Sequence, residues 1–218
     1  MQPPRKSFVF APAYDEKPNA ANPNGRDATG GFHVGMKLWK QKYEKLGGTV
    51  VTCVFDNRQK NAARRAEILT ALQRGCGGTW YDAFVYFGHG IPTGLPSAGF
   101  YMDDVGTLAD AIYYYCDFNV KVLLYACSAG APGGFTYRLA DELGFMKNYG
   151  FAAYSHALDG HAFTNATVRR FPSNLGQTGI TVAPAGKIAQ WIKAMQDPKR
   201  ELWAEFPFMT DEEIRNAV

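Results

Sequence analysis

The hydrophobic pattern of this chain changes period again and again. Short apolar runs at 7–14 (SFVFAPAY), 48–56 (GTVVTCVFD), 80–90 (WYDAFVYFGHG), 120–127 (VKVLLYAC), 150–158 (GFAAYSHAL) and 180–184 (ITVAP) each read as a strand. Between them, apolar residues recur three and four positions apart, as on one face of a helix. The sets are Phe32, Met36, Trp39, Tyr43 and Leu46; Ala62, Ala66, Leu69 and Leu72 within a helix over 58–74; Val105, Leu108, Ala109, Ile112 and Cys116; and Phe135, Leu139 and Leu143. Gly47, Gly48 and Gly75 stand where the first two helices should stop. A loop rich in Pro, Asn and Gly (18–31) follows the first strand, and a loop with two prolines precedes the third helix. Ile188, Trp191, Ile192 and Met195 mark a late helix, and 198–218 reads as one or two short ones.

Strands alternating with helices predict an α/β fold, with a mostly parallel central sheet of about six strands and helices on both faces. The run at 120–127 is the most apolar, as a central parallel strand buried on both sides should be. There is no internal repeat or low-complexity segment, and 218 residues suit a single domain over 1–218. Composition adds little to this picture: 46% hydrophobic and 20% charged residues are ordinary for a soluble globular chain and leave no room for a long disordered tail.

A net charge of +3 is small. Arg58, Lys60, Arg64, Arg65 and Arg74 fall in one predicted helix with only Glu67 against them, and read as a solvated face, so nucleic acid is not an expected partner. No run is long enough to cross a bilayer and the first residues lack the pattern of a secretory signal, so no membrane partner and a cytoplasmic location are expected. The four cysteines, Cys53, Cys76, Cys116 and Cys127, have no spacing that suits zinc or a disulfide framework, and three of them read as small buried hydrophobes.

The fourth carries chemistry. In open α/β sheets ligands bind at the carboxyl ends of strands, and two successive strands here end on reactive side chains, His89 and Cys127. A thiol becomes a nucleophile when an imidazole in reach draws off its proton and stabilises the thiolate. Glycines flank the histidine in Gly88-His89-Gly90, and small residues surround the cysteine in YACSAGAPGG (125–134). They leave room for a substrate carbonyl and free the Gly90 amide to donate toward a developing oxyanion.

A hydrophobic strand ending in His-Gly, followed by one ending in Ala-Cys, resembles the caspase-like cysteine peptidases: caspases, metacaspases, legumains, gingipains, separases and CHAT domains. The blocks here are FVYFGHG (84–90) and VLLYACSAG (122–130), and the likeness in element order runs from residue 7 to 184. The resemblance implies a three-layer fold with the His-bearing strand beside the Cys-bearing one. It also implies His89 as general base and acid, Cys127 as nucleophile, and Gly90 with the Cys127 amide as the oxyanion hole. The substrate would be a protein or peptide, a regulatory protein partner is possible in such a family, and no metal or organic cofactor is needed. Metacaspases carry an aspartate before the cysteine; this chain has Ala126, closer to legumain and CHAT sequences, and it has no obvious interchain cleavage loop. In the family, charges at neighbouring strand ends set the residue preferred before the scissile bond. The candidates are Asp15, Arg26 and Asp27 after the first strand and Asp159 after the fifth. An aspartate there would select Arg or Lys, an arginine an acidic residue.

Two other readings stay open. Amidotransferase-like and α/β-hydrolase folds also raise a nucleophile after a central strand, with the histidine later in the chain; His156 and His161 follow Cys127, although Tyr125 occupies the position such an elbow gives to glycine. Alternatively the chain is a caspase-like binding module without catalysis.

Overall fold

The computed structural model describes residues 3–16, 18–147, 150–158, 168–172 and 180–181, the last two stretches as backbone alone. Five strands form the parallel part of the sheet: β1 (Lys6–Pro12), β2 (Thr49–Phe55), β3 (Tyr81–Phe87), β6 (Cys116–Tyr125) and β7 (Ala152–His156). Two more, β8 (Val168–Pro172) and β9 (Ile180–Thr181), extend it antiparallel beyond β7, giving the order β2-β1-β3-β6-β7-β8-β9. A separate hairpin, β4 (Gly94–Leu95) with β5 (Phe100–Tyr101), lies in the connection after β3. The fold is therefore α/β with a mostly parallel sheet, as the alternation predicted. Among the described residues no helix is long and apolar enough to cross a membrane.

Helices cover both faces, and strand alternation decides which residues each face presents. Phe8, Phe10, Phe84, Tyr86, Val122 and Leu124 point into one core with residues of α2 (Asn61–Cys76), α3 (Val105–Tyr115) and α4 (Phe135–Lys147). On the other face α1 (Phe32–Lys45) brings Trp39 within 6.4 Å of the Tyr125 ring, and Phe87 stacks on Tyr125 at 4.6 Å and 3°. Gly35 of α1 faces Phe87 so closely that a Cβ there would stand 2.5 Å from the ring. Only glycine lets the helix settle at that distance.

One predicted buried stripe is corrected. In α2 the buried residues are Arg64, Ile68, Leu72 and Cys76, spaced by four, whereas Ala62 and Ala66 are exposed and Leu69 is half-buried. The arginine is buried because its two terminal nitrogens donate to the carbonyls of Pro96 (2.8 Å) and Ser97 (2.7 Å) and to Asn61 Oδ1, which replaces water there, while its Nε is buried without a partner among the described residues. Arg65 likewise donates to the Gly99 carbonyl at 2.6 Å and pairs with Asp104, so these two cations tie α2 to the hairpin connection and are not a solvated face. The other corrections concern boundaries. Cys116, read as helical, opens β6, and β3 and β6 stop two residues before His89 and Cys127. The strands β4, β5 and β8 have no counterpart in the sequence reading. The predicted strand at 180–184 is described only at Ile180–Thr181, and the helices predicted over 188–195 and 198–218 lie outside the described residues.

Candidate active site

Strands β3 and β6 are parallel neighbours whose last paired residues are Phe87 and Tyr125. His89 and Cys127 each stand two positions beyond that pair, at the same edge of the sheet. The ladder runs one rung further, through Gly88 N–H to the Tyr125 carbonyl at 3.3 Å.

The two glycines beside His89 are required by the protein's own atoms. Under Gly88 lies the side chain of Tyr86, which curls back beneath the turn; a Cβ on Gly88 would stand 2.8 Å from Tyr86 Cε2 and closer still to the phenol oxygen. That phenol, fully buried, donates to the His89 carbonyl at 3.1 Å. Burial pushes its pKa well above the ordinary tyrosine value, so it stays protonated and keeps donating. Gly90 in turn packs on the backbone of the cysteine. A Cβ there would stand 2.7 Å from Ala126 Cβ and run into the Cys127 carbonyl oxygen. The histidine turn and the cysteine backbone are thus in van der Waals contact.

His89 is exposed, and its ring is held at two places. Its Nε2 is hydrogen-bonded to the Asp15 carbonyl, and the Phe32 ring meets it edge-on with centroids 4.9 Å apart. A carbonyl oxygen only accepts, so Nε2 carries the proton and the neutral ring keeps its lone pair on Nδ1. That nitrogen is the one able to act as a base.

Cys127 is the half-buried cysteine; Cys53, Cys76 and Cys116 are buried. Burial, reinforced by Glu67, pushes the Cys53 thiol up to about 12, which leaves it protonated and inert at neutral pH. The chain turns sharply just after Cys127. Ser128 has φ 54°, the left-handed region that a residue with a side chain enters only when its surroundings force it. The surroundings here are explicit: Ser128 N–H donates to the Leu158 carbonyl (3.2 Å), Gly130 N–H to that of His156 (2.9 Å) and Thr136 N–H to that of Ala129 (3.0 Å). Phe135 N–H, at the start of α4, donates to the Pro92 carbonyl at 2.8 Å, tying the cysteine loop to the histidine loop. The first amides of α4 are therefore occupied, whereas the Gly90 amide makes no hydrogen bond among the described residues.

The candidate specificity residues have different fates. Arg26, two-thirds exposed, pairs with Asp15 Oδ2 at 3.1 Å and reaches Glu16 at 3.4 Å, so Asp15 and Arg26 are partners of each other. Asp27 caps the short 3₁₀ turn at Ala28–Gly30, accepting from the Thr29 amide (2.8 Å) and hydroxyl (2.5 Å), which holds its carboxyl below the usual range. Its contacts are those of an N-cap. Asp159 and His161 lie outside the described residues. His156 is buried in β7 with its ring centroid 6.2 Å from that of Tyr125. His33 turns its Nε2 to the Pro12 carbonyl at 3.0 Å. Among the described residues no three His, Cys, Asp or Glu side chains gather as metal ligands would.

Sequence reasoning does not single out Tyr86, Ser97 or Asn57, and it places Arg64 on a solvated face; each carries a buried polar group. Comparison with protein-family models, curated proteins and solved structures finds no match to this chain.

Proposed function

We propose that this chain is a cysteine endopeptidase of the caspase-like type, acting on proteins or peptides through His89 and Cys127. The observation that supports it most is the contact of Gly90 with the Cys127 backbone, which sets the histidine turn against the cysteine at the carboxyl edge of adjacent parallel strands. That edge is where an open α/β sheet offers its crevice.

In this reading Nδ1 of His89 takes the proton of the Cys127 thiol, and the thiolate attacks the scissile carbonyl carbon. The oxyanion that forms is met by the Gly90 amide, with the Cys127 amide as its second donor. The imidazolium returns its proton to the leaving amine as the C–N bond breaks, leaving a thioester. Water, deprotonated by the same imidazole, then attacks the thioester and releases the acid and the free thiol. Each proton taken is given back, so no redox partner or metal enters the sequence.

The test is cleavage of a fluorogenic peptide library in which the residue before the reporter is varied over basic, acidic and amide side chains. The expected result is turnover of one class by the wild-type chain and none by Cys127→Ala or His89→Ala. Turnover retained in both variants, or turnover lost only with His156→Ala, would refute the dyad.

A further inference from the structure

Asn57 is 4% exposed in the turn that follows β2, between Asp56 and Arg58. An amide buried so deeply costs free energy unless its polar atoms are matched. They are matched by one residue 43 positions away: the Tyr14 amide donates to Asn57 Oδ1 at 3.0 Å, and Asn57 Nδ2 donates to the Tyr14 carbonyl at 2.8 Å. The side chain thus grips the Tyr14 backbone from both sides. The far side of the same peptide is fixed as well, because the Asp15 amide donates to the Arg26 carbonyl at 2.8 Å. Arg58 lies over the Tyr14 ring at 4.3 Å while forking onto Asp56 at 2.9 Å, which anchors the turn that carries Asn57. The next carbonyl along is that of Asp15, the acceptor for His89 Nε2.

We propose that Asn57 is the positioning residue for His89: by clamping Tyr14 it aims the Asp15 carbonyl at Nε2, and so fixes the tautomer that leaves Nδ1 as the base. The inference rests on the dyad reading of His89, but its direct consequence is the protonation pattern of one ring, which is measured without catalysis. A group that merely stabilises the loop would lower stability and leave that pattern alone.

The experiment is nitrogen-detected NMR of the imidazole rings in the full-length chain, with the His89 signals assigned from His89→Gln and His33 as an internal control. The rate at which iodoacetamide alkylates Cys127 is followed in parallel. In the wild type the neutral His89 ring is expected as the Nε2–H tautomer. In Asn57→Ala that preference is expected to weaken toward a mixture and Cys127 alkylation to slow by about tenfold, the lower end of the loss that follows removal of an outer partner from a metal-bound histidine, with His33 unchanged. Asn57→Asp keeps the shape and the acceptor for the Tyr14 amide but loses the donor to the Tyr14 carbonyl. It is expected to shift the tautomer in the same direction, and it carries the test if the alanine variant does not fold. An unchanged His89 tautomer in a folded variant, or a wild-type ring protonated on Nδ1, would overturn the assignment of Asn57. A wild-type Cys127 that does not react, with the tautomer still responding to Asn57, would instead refute the dyad reading.

Discussion

Gly47 and Gly77, at the amino end of the parallel sheet, and Gly88 and Gly90, at its carboxyl end, are glycine for opposite reasons. At the amino end, Gly47 and Gly77 have positive φ values of 85° and 52°, and a Cβ built on either would meet nothing within 4 Å. They supply a left-handed turn and nothing else. At the carboxyl end Gly88 and Gly90 are needed for space: Tyr86 fills the volume below the first, and Ala126 with Cys127 the volume beside the second. The same residue type thus marks a chain reversal at Gly47 and Gly77 and close contact between the His89 and Cys127 turns at Gly88 and Gly90. Backbone strain follows the same division, since the one described residue other than glycine with positive φ, Ser128, directly follows Cys127. Close-packed backbone at these turns holds His89 and Cys127 without long side chains that would have to be ordered one by one.

Changes at the carboxyl end should break this contrast most sharply. His89→Ala removes the base and should slow alkylation of Cys127 at pH 7 by about 100-fold or more, the ordinary worth of a positioned general base; stopped-time mass spectrometry of the labelled protein reads it out. Gly88→Ala and Gly90→Ala each drive a methyl group into packed atoms and should cost about 3 kcal/mol in urea unfolding. Gly77→Ala, with open space around it, should cost about 1 kcal/mol, for the left-handed backbone alone. Equal costs at the two ends would abolish the distinction. Tyr86→Phe keeps the ring and removes the hydroxyl that donates to the His89 carbonyl, so a loss of about 1 kcal/mol is expected, the usual net worth of one hydrogen bond.

The smallest effect at neutral pH is that of alkali. The folded Cys53 thiol titrates at about 12, above its ordinary 9.0, and burial also raises Tyr81, Tyr86 and Tyr125. Each group is neutral in both states at low pH, and as pH rises the unfolded chain ionises first. Its contribution is therefore complete below the unfolded pKa and is lost as pH climbs through the folded one. Urea midpoints should be flat to about pH 9 and fall toward pH 12, and Cys53→Ala should soften the fall.

How much of this was legible in the sequence follows from the range of the interactions. The parallel strands and the first four helices announce themselves because periodicity is local, and His89 and Cys127 stand out because small residues isolate them after apolar runs. The hairpin Gly94–Leu95 with Phe100–Tyr101 has two residues per strand and so no period to detect. The start of β6 was hidden because Cys116 completes a helical spacing while its backbone is already extended, with no turn between the two elements. Arg64 reads as surface by composition and is buried because carbonyls 32 and 33 positions away satisfy it. Asn57 escaped for the same reason. The glycines of Gly88-His89-Gly90 stand out in the sequence, but what each makes room for depends on Tyr86 and Ala126, and that neighbourhood exists only after folding.

The most direct measurement is labelling by a peptide bearing an electrophilic carbonyl, with tandem mass spectrometry to locate the adduct in wild type and His89→Ala side by side. A dyad at this sheet edge predicts one equivalent of label, on Cys127, that nearly vanishes when the imidazole is removed. Label spread over several cysteines, or carried by Cys127 at the same rate without His89, would contradict it.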